Sequence, residues 1–216
     1  MPETDNTAGD LPKEESRATS EQARAAKRVP LTDEQILAAH VGELAPLVGP
    51  IHIVDYDPEW PQLFEREAKR IQAALGNRVV LIEHVGSTSV PGLAAKPRID
   101  VLLVVADSAD EPAYVPALEA AAYVLRIREP DWYEHRMFNG PDTDVNLHVF
   151  SPGSPEIDRM LLFRDWLRSN TSDRQLYERT KRELARKDWK YAQNYADAKT
   201  AVVEEIIAQA RGAGGE

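Results

Sequence analysis

The sequence predicts an α+β fold: a mixed sheet with flanking helices over residues 51–155, then a helical C-terminal part over 156–211. Three observations predict it. Short apolar runs of strand length, the clearest at 99–106, alternate with stretches of helical spacing. Clusters of Gly, Pro and Asn separate them, as turns require. After Pro155 the strand-like runs cease and only helical spacing follows.

Composition bounds the function. The chain has 216 residues, 43% hydrophobic and 29% charged, as a soluble globular protein does. Its 26 Lys and Arg against 36 Asp and Glu give a net charge of -10, which argues against broad binding to nucleic acid. There is no Cys, which excludes disulfides, thiolate zinc sites, iron–sulfur clusters and cysteine nucleophiles. No apolar run approaches the roughly 18 residues of a membrane span. Residues 1–30 hold no apolar signal core. The expected location is the cytoplasm, with no membrane partner.

The elements follow in order. Residues 1–30 are polar and read as a disordered tail. Thr32 caps a short helix that presents Ile36, Leu37, His40 and Val41. Pro46 and Gly49-Pro50 mark a linker that ends the 31–50 segment. Residues 51–54 read as a strand. Asp57 and Pro58 read as the cap and first position of a helix carrying Trp60, Phe64, Ile71 and Leu75, which Gly76 stops. Strands are expected at 79–85, 99–106 and 123–127, with a helix at 112–122. The strand at 99–106 is apolar on both faces and so reads as central. Residues 133–138 and 145–150 read as paired strands joined by a turn at Asn139-Gly140. Ser154-Pro155 starts the next helix, and Ser172 to Gln175 has capping-box form. Helices are expected over 173–186 and 188–210, with a frayed end at 212–216.

Between two of the strands lies a loop suited to phosphate. His84-Val85-Gly86-Ser87-Thr88-Ser89-Val90-Pro91-Gly92 follows an apolar run. Gly86 permits close backbone approach to a ligand. Ser87, Thr88 and Ser89 supply hydroxyls, and consecutive N–H groups can form an anion nest. The spacing is neither that of a P-loop nor that of a Rossmann turn. The alternative is a tight structural turn. Lys96 and Arg98 can neutralise phosphate. Asp100 enters an otherwise apolar strand, so it needs a partner or a metal. A hydroxyl loop followed by a carboxylate suits a phosphate bridged by Mg²⁺.

These residues resemble a known family. The 84–93 segment, Lys96-Pro97, Ile99-Asp100, Tyr56-Asp57-Pro58, Asn146-Leu147-His148-Val149, Phe163-Arg164-Asp165-Trp166-Leu167 and Tyr195-Ala196-Asp197-Ala198-Lys199 closely resemble the GrpB family, over about residues 50–210. That family is placed in the nucleotidyltransferase superfamily. The resemblance implies a polymerase-β-like mixed sheet. Gly86-Ser87 would match the signature that holds the triphosphate, and Asp100 the first metal-binding carboxylate. Mg²⁺ or Mn²⁺ is the implied cofactor. The position of the second carboxylate is Leu102. A third carboxylate is replaced by Asn146 and His148, with Asp144 at the strand edge.

Two functions follow as expectations. One is metal-dependent transfer of a nucleotidyl group from NTP to an acceptor, releasing pyrophosphate. The other is a catalytically degenerate fold that binds a nucleotide or phosphorylated metabolite without turnover. In both, Gly86, Ser87, Thr88, Ser89, Lys96 and Arg136 hold phosphate. Asp100, Asn146 and His148 are the candidate metal ligands, and Asp100 and His148 the candidate catalytic pair. Asn146 and His148 share a strand face. If Asp100 and His84 meet that face, the four line one pocket, although His84 reads more simply as structural. Arg136 shares a face with Glu134 and Phe138, with His135 opposite. It either grips phosphate or pairs with a carboxylate. The basic residues of the C-terminal helices, Lys181 and Arg164 among them, interleave with acids and read as solvated surface.

Overall fold

The computed structural model describes residues 29–213. The expected tail therefore lies outside the described residues, apart from Val29 and Pro30, and so does 214–216 of the expected frayed end. Gly212 is not frayed but lies in the last helix.

Five strands form one open mixed sheet: β1 (Val79–Val85), β2 (Ile99–Val105), β3 (Val124–Glu129), β4 (His135–Asn139) and β5 (Val145–Phe150). Their spatial order is β1-β2-β5-β4-β3. Only β2 and β5 run parallel; the other pairs are antiparallel. Seven α-helices accompany the sheet among the described residues: α1 (Asp33–Ala39), α2 (Trp60–Leu75), α3 (Glu111–Ala120), α4 (Pro155–Ser169), α5 (Thr171–Leu184), α6 (Ala192–Ala198) and α7 (Thr200–Ala213).

The sheet is covered on both faces, which is why β2 is apolar at every position after Asp100. Val101, Leu103 and Val105 pack with Trp60 and Ile71 of α2 and Tyr114 and Leu118 of α3. Leu102 and Val104 pack on the other face with Phe150 and with Ile157, Met160 and Leu161 of α4. Asp100 lies on that second face, at the mouth of the strand.

Several boundaries differ from expectation for local reasons. Residues 51–54 form no strand. Val54 makes one bridge to Ala95 in the loop, because that segment does not reach the sheet edge. Asp57 closes a tight turn onto the amide of Glu59 at 2.8 Å, so α2 starts at Trp60 and Pro58 precedes it. Tyr133 and Glu134 have left-handed backbones, with φ of 55° and 52°, so β4 starts only at His135. Ser154 stands at the α4 cap position, but its hydroxyl makes no capping bond. Asn170 caps α5 by accepting from the Asp173 amide at 2.9 Å, ahead of the expected box at Ser172. The helix expected over 188–210 is two helices, with Lys199 at the break between α6 and α7.

The 31–50 segment closes over the second face. A reciprocal Thr32–Gln35 box starts α1. The segment then bridges β3 through His40 and Ile127. The Leu31 amide donates to Asp197 at 2.9 Å, and the Leu47 amide to the Lys190 carbonyl at 2.8 Å. This strap ties the chain's early residues to its last helices.

Candidate functional site

The second face of the sheet holds a cavity of about 550 Å³. Its floor is the mouth of β2 with the facing residues of β5, β4 and β3. The 31–44 strap, α4 and the α6–α7 break are its walls. Six cationic side chains line it, Lys96, Arg98, Arg126, Arg159, Lys181 and Lys199, against four carboxylates, Asp100, Glu129, Glu156 and Asp197. Arg98 and Arg159 are also held by Asp144 and Glu204 outside the lining, so cations and carboxylates are close to balance there. Away from the floor the lining turns apolar, with Leu31, Ile36, Trp132, Phe163 and Val203.

Strand register assembles the floor. Val85 pairs with Asp100, Asp100 with Asn146, and Leu102 with His148. The chain turns at Gly86 with φ 69°, directly against the aspartate. A Cβ on Gly86 would stand 2.3 Å from Asp100 Oδ2 and 2.9 Å from its Cβ. Only glycine fits there, for both reasons.

Asp100 is 29% exposed at its side chain. Its Oδ1 accepts from Asn146 Nδ2 at 2.9 Å and lies 3.8 Å from His148 Nε2. Burial pushes the carboxyl up. His148, Asn146 and Lys199 together outweigh burial and hold it below its ordinary value. Asn146 Oδ1 accepts from Arg98 Nη1 at 3.2 Å and from Asn139 Nδ2 at 3.4 Å. These donors fix the amide, so Asn146 shows its NH₂ to Asp100. Arg98 is in turn paired with Asp144 at 2.7 Å. Burial lowers the pKa of Lys96, and the Arg98 charge adds to that.

Of the expected phosphate residues, Gly86, Ser87 and Lys96 line the cavity. Thr88 and Ser89 do not. The short 3₁₀ turn Ser87–Ser89 points both hydroxyls inward. Thr88 donates to the Arg98 carbonyl at 3.1 Å and meets His84 Nε2 at 3.1 Å. Ser89 donates to the Gly86 carbonyl at 2.6 Å. These hydroxyls build the loop instead of facing a ligand. Arg136 is likewise elsewhere. It faces the α2–α3 side, 4% exposed, with Nε 2.6 Å from Glu111 and Nη2 3.2 Å from Glu134. The reason is parity: β4 turns Arg136 and Phe138 to one face and His135, Met137 and Asn139 to the cavity. His84 also leaves the cavity side. It pairs with Val101 and stacks on Phe64, with ring centroids 4.7 Å apart and planes 6° apart.

Asn146 and His148 share a face, as their spacing requires, and the parallel register of β2 and β5 brings Asp100 to them. They do not fit a two-cation centre. Leu102 is fully buried where a second carboxylate would stand. Asn146 offers an N–H and not a lone pair. Among the described residues no group of three or more His, Asp or Glu could hold a metal ion.

Sequence reasoning missed several lining residues. Glu129 Oε2 lies 2.7 Å from His135 Nδ1, and His135 Nε2 lies 3.1 Å from His148 Nδ1. The signal available was the opposite parity of His135 and Arg136, which lacked only the facing of the sheet. Lys181 is not solvated surface. It is 2% exposed, donates to the Ala94 carbonyl, and sits 4.7 Å over the Tyr177 ring. Burial, helped by Lys199, pushes its pKa down to about 7. Arg164 is also buried, held by Glu83 at 2.6 Å and by the His84 carbonyl at 3.1 Å.

A five-stranded mixed sheet with a glycine turn pressed on an aspartate, at a cavity with a polar floor and apolar walls, defines an α+β protein with a candidate binding site. Residues 50–209 match the family described as GrpB protein, and the chain belongs to that family. A UPF0157 protein of Halalkalibacterium halodurans is 63% identical over 181 residues, covering 84% of this chain and 93% of that one. A UPF0157 protein of Streptomyces coelicolor is 46% identical over 160 residues, covering 74% and 84%. A dephospho-CoA kinase of Mycolicibacterium paratuberculosis is 30% identical over 182 residues, covering 72% of this chain but 44% of that protein. The crystal structure of GrpB from Enterococcus faecalis superposes with a TM-score of 0.67 at 30% identity, covering 76% of this chain and all of that one. No helix among the described residues is long and apolar enough to cross a membrane.

Proposed function

We propose that the protein is a cytoplasmic binding module for a nucleotide or another phosphorylated small molecule, on a nucleotidyltransferase-like frame that no longer performs two-metal transfer. One observation carries the reading: Lys96, Lys199 and the Gly86-Ser87 turn line one cavity of an acidic chain. Phosphate would lie at the Gly86-Ser87 turn, facing Lys96 and Lys199, whose charges would offset its repulsion from Asp100. The apolar walls would take the rest of the molecule. Leu102 weighs against turnover.

A second reading keeps the transfer reaction, with Mg²⁺ or Mn²⁺ and an unnamed acceptor. The close Gly86–Asp100 approach favours it, since the resemblance assigns these residues to triphosphate and metal.

The test is a thermal-shift panel of NTPs, NDPs and coenzyme A precursors, each with and without Mg²⁺ or Mn²⁺. The precursors enter because part of a dephospho-CoA kinase resembles this chain. A ligand at a hundredfold excess over Kd stabilises by about 2.7 kcal/mol. The binding reading expects a shift that survives EDTA and weakens in Lys96→Ala. A shift that requires the cation, disappears in Asp100→Ala and accompanies pyrophosphate release would establish transfer instead. No shift with any ligand would refute both readings.

A further inference from the structure

One buried amine in the cavity wall has no role in holding phosphate. Lys181 of α5 lines the cavity, yet its side chain is almost wholly covered. Its Nζ donates to the Ala94 carbonyl and sits 4.7 Å over the Tyr177 ring. Phe163 meets that ring edge-on at 5.1 Å and lines the same wall. Glu178, the acid one turn earlier on α5, is engaged elsewhere. It holds Arg182 at 3.0 Å and accepts from the Ala94 amide at 3.2 Å. Among the described residues no carboxylate forms an ion pair with Lys181.

One carbonyl and one ring face offset little of the cost of burying an ammonium. The charges around the amine divide. On α5, Glu178 favours the charged form and Arg182 opposes it. Across the cavity, Asp100 of β2 favours it, and Lys199 at the α6–α7 break opposes it more strongly than any other charge. Burial outweighs them all, so the proton is lost near neutrality. A neutral amine spends one N–H on Ala94 and keeps a lone pair. A desolvated lysine beside a second cation is the arrangement that turns an amine into a nucleophile for carbonyl carbon.

We infer that Lys181 captures a phosphorylated aldehyde or ketone in this cavity as an imine. The inference rests on the phosphate half of the binding reading and deepens it: phosphate lies at Gly86-Ser87 with Lys96 and Lys199, and the carbonyl carbon at Lys181. All of these residues line the one cavity. Nζ bonds the carbonyl carbon as the C=O π pair moves to oxygen, and one Nζ hydrogen passes to that oxygen. A proton from solvent then lets the C–O bond break, and water leaves. The product is an iminium that keeps one N–H for Ala94. The step needs no oxidant or reductant.

The test maps adducts on the wild-type chain, so no variant has to fold. The protein is held near neutral pH with glycolaldehyde phosphate and cyanoborohydride, which reduces the iminium to a stable secondary amine, and its peptides are read by mass spectrometry. Glycolaldehyde is the matched probe without phosphate. The expected result is one adduct per chain, on Lys181. It should form about tenfold faster or better than on any exposed lysine, and about tenfold faster or better than with glycolaldehyde. Excess inorganic phosphate should suppress it, and unfolding in urea should abolish the preference for Lys181.

No adduct on Lys181, or labelling spread evenly over the lysines, overturns the inference. A thermal shift with glycolaldehyde phosphate but no adduct on Lys181 overturns the imine alone and leaves the binding reading standing. Adducts on Lys181 that form equally fast from both probes, untouched by phosphate, overturn the phosphorylated substrate and the phosphate half of the binding reading together.

Discussion

Replacing Gly86 by alanine tests the central contact of the site. The new Cβ would stand 2.3 Å from Asp100 Oδ2, 2.9 Å from Asp100 Cβ and 3.0 Å from Cγ. A residue with a side chain at φ 69° and ψ -172°, a region essentially restricted to glycine, also costs roughly 1–3 kcal/mol by itself. The carboxylate is the part that can move, and moving it breaks its bond to Asn146. A hydrogen bond to a charged group is worth about 1.5–3 kcal/mol. Gly86→Ala should therefore cost about 2.5–6 kcal/mol in urea unfolding, the sum of these two. In an Asp100→Ala background two of the three close atoms are gone, and the same substitution should cost only about 1–3 kcal/mol plus whatever the remaining Cβ contact adds. The coupling between positions 86 and 100 is the quantity to measure. Equal costs in both backgrounds would refute the claim that the aspartate, rather than the backbone angle, demands glycine there.

Three further outcomes follow from other residues. Burial pushes the pKa of His84 down to about 4 from 6.5, so the unfolded chain takes its proton first. Stability is then complete above about pH 6.5 and falls by about 3 kcal/mol as the pH drops to 4. His84→Gln should flatten urea midpoints across that window, and an unchanged slope would count against a neutral buried imidazole. Lys181 works in the opposite range: with its pKa near 7 against 10.5, the folded state should gain stability as pH rises from 7 towards 10.5. Lys181→Met should abolish that rise, and a wild-type curve flat over the range would remove the basis for a depressed amine. Arg136→Met should lower stability by about 2–3 kcal/mol, because Glu111 loses one of its two guanidinium partners. Ligand-induced shifts should be untouched, and their loss would return Arg136 to the site.

The central strand was legible because it is apolar at every position after Asp100, a pattern only a doubly covered strand needs. The Gly86-Ser87 turn and Asp100 were legible as chemistry, since a carboxylate opening an apolar strand after a glycine turn asks for a reason. The facing of β4 was not. Alternation says that Arg136 and His135 point in opposite directions, but which direction meets the cavity depends on which face the C-terminal helices cover. That is a long-range fact. Thr88 and Ser89 failed for a different reason: hydroxyls in a tight turn bond their own backbone as readily as a ligand. Lys181 was hidden because a lysine among acids on a helix looks solvated until its carbonyl partner, Ala94, is placed beneath it.

The strap of residues 31–47 has a consequence for synthesis. Its anchors are Asp197 and Lys190, and the Leu31–Asp197 bond spans 166 positions of sequence. On the ribosome, the strap could meet β3 through His40 and Ile127 at mid-chain, but its bonds to Asp197 and Lys190 would wait for the last helices. The sheet can assemble without it, because every strand lies between those two ends. The cavity is then the last feature of the molecule to exist, and its wall should be the first to open. An occupant would act as a clasp joining segments that lie 166 positions apart in the sequence. Amide exchange at α1 and α6 should slow in concert when the cavity is filled, while β2 stays as it was.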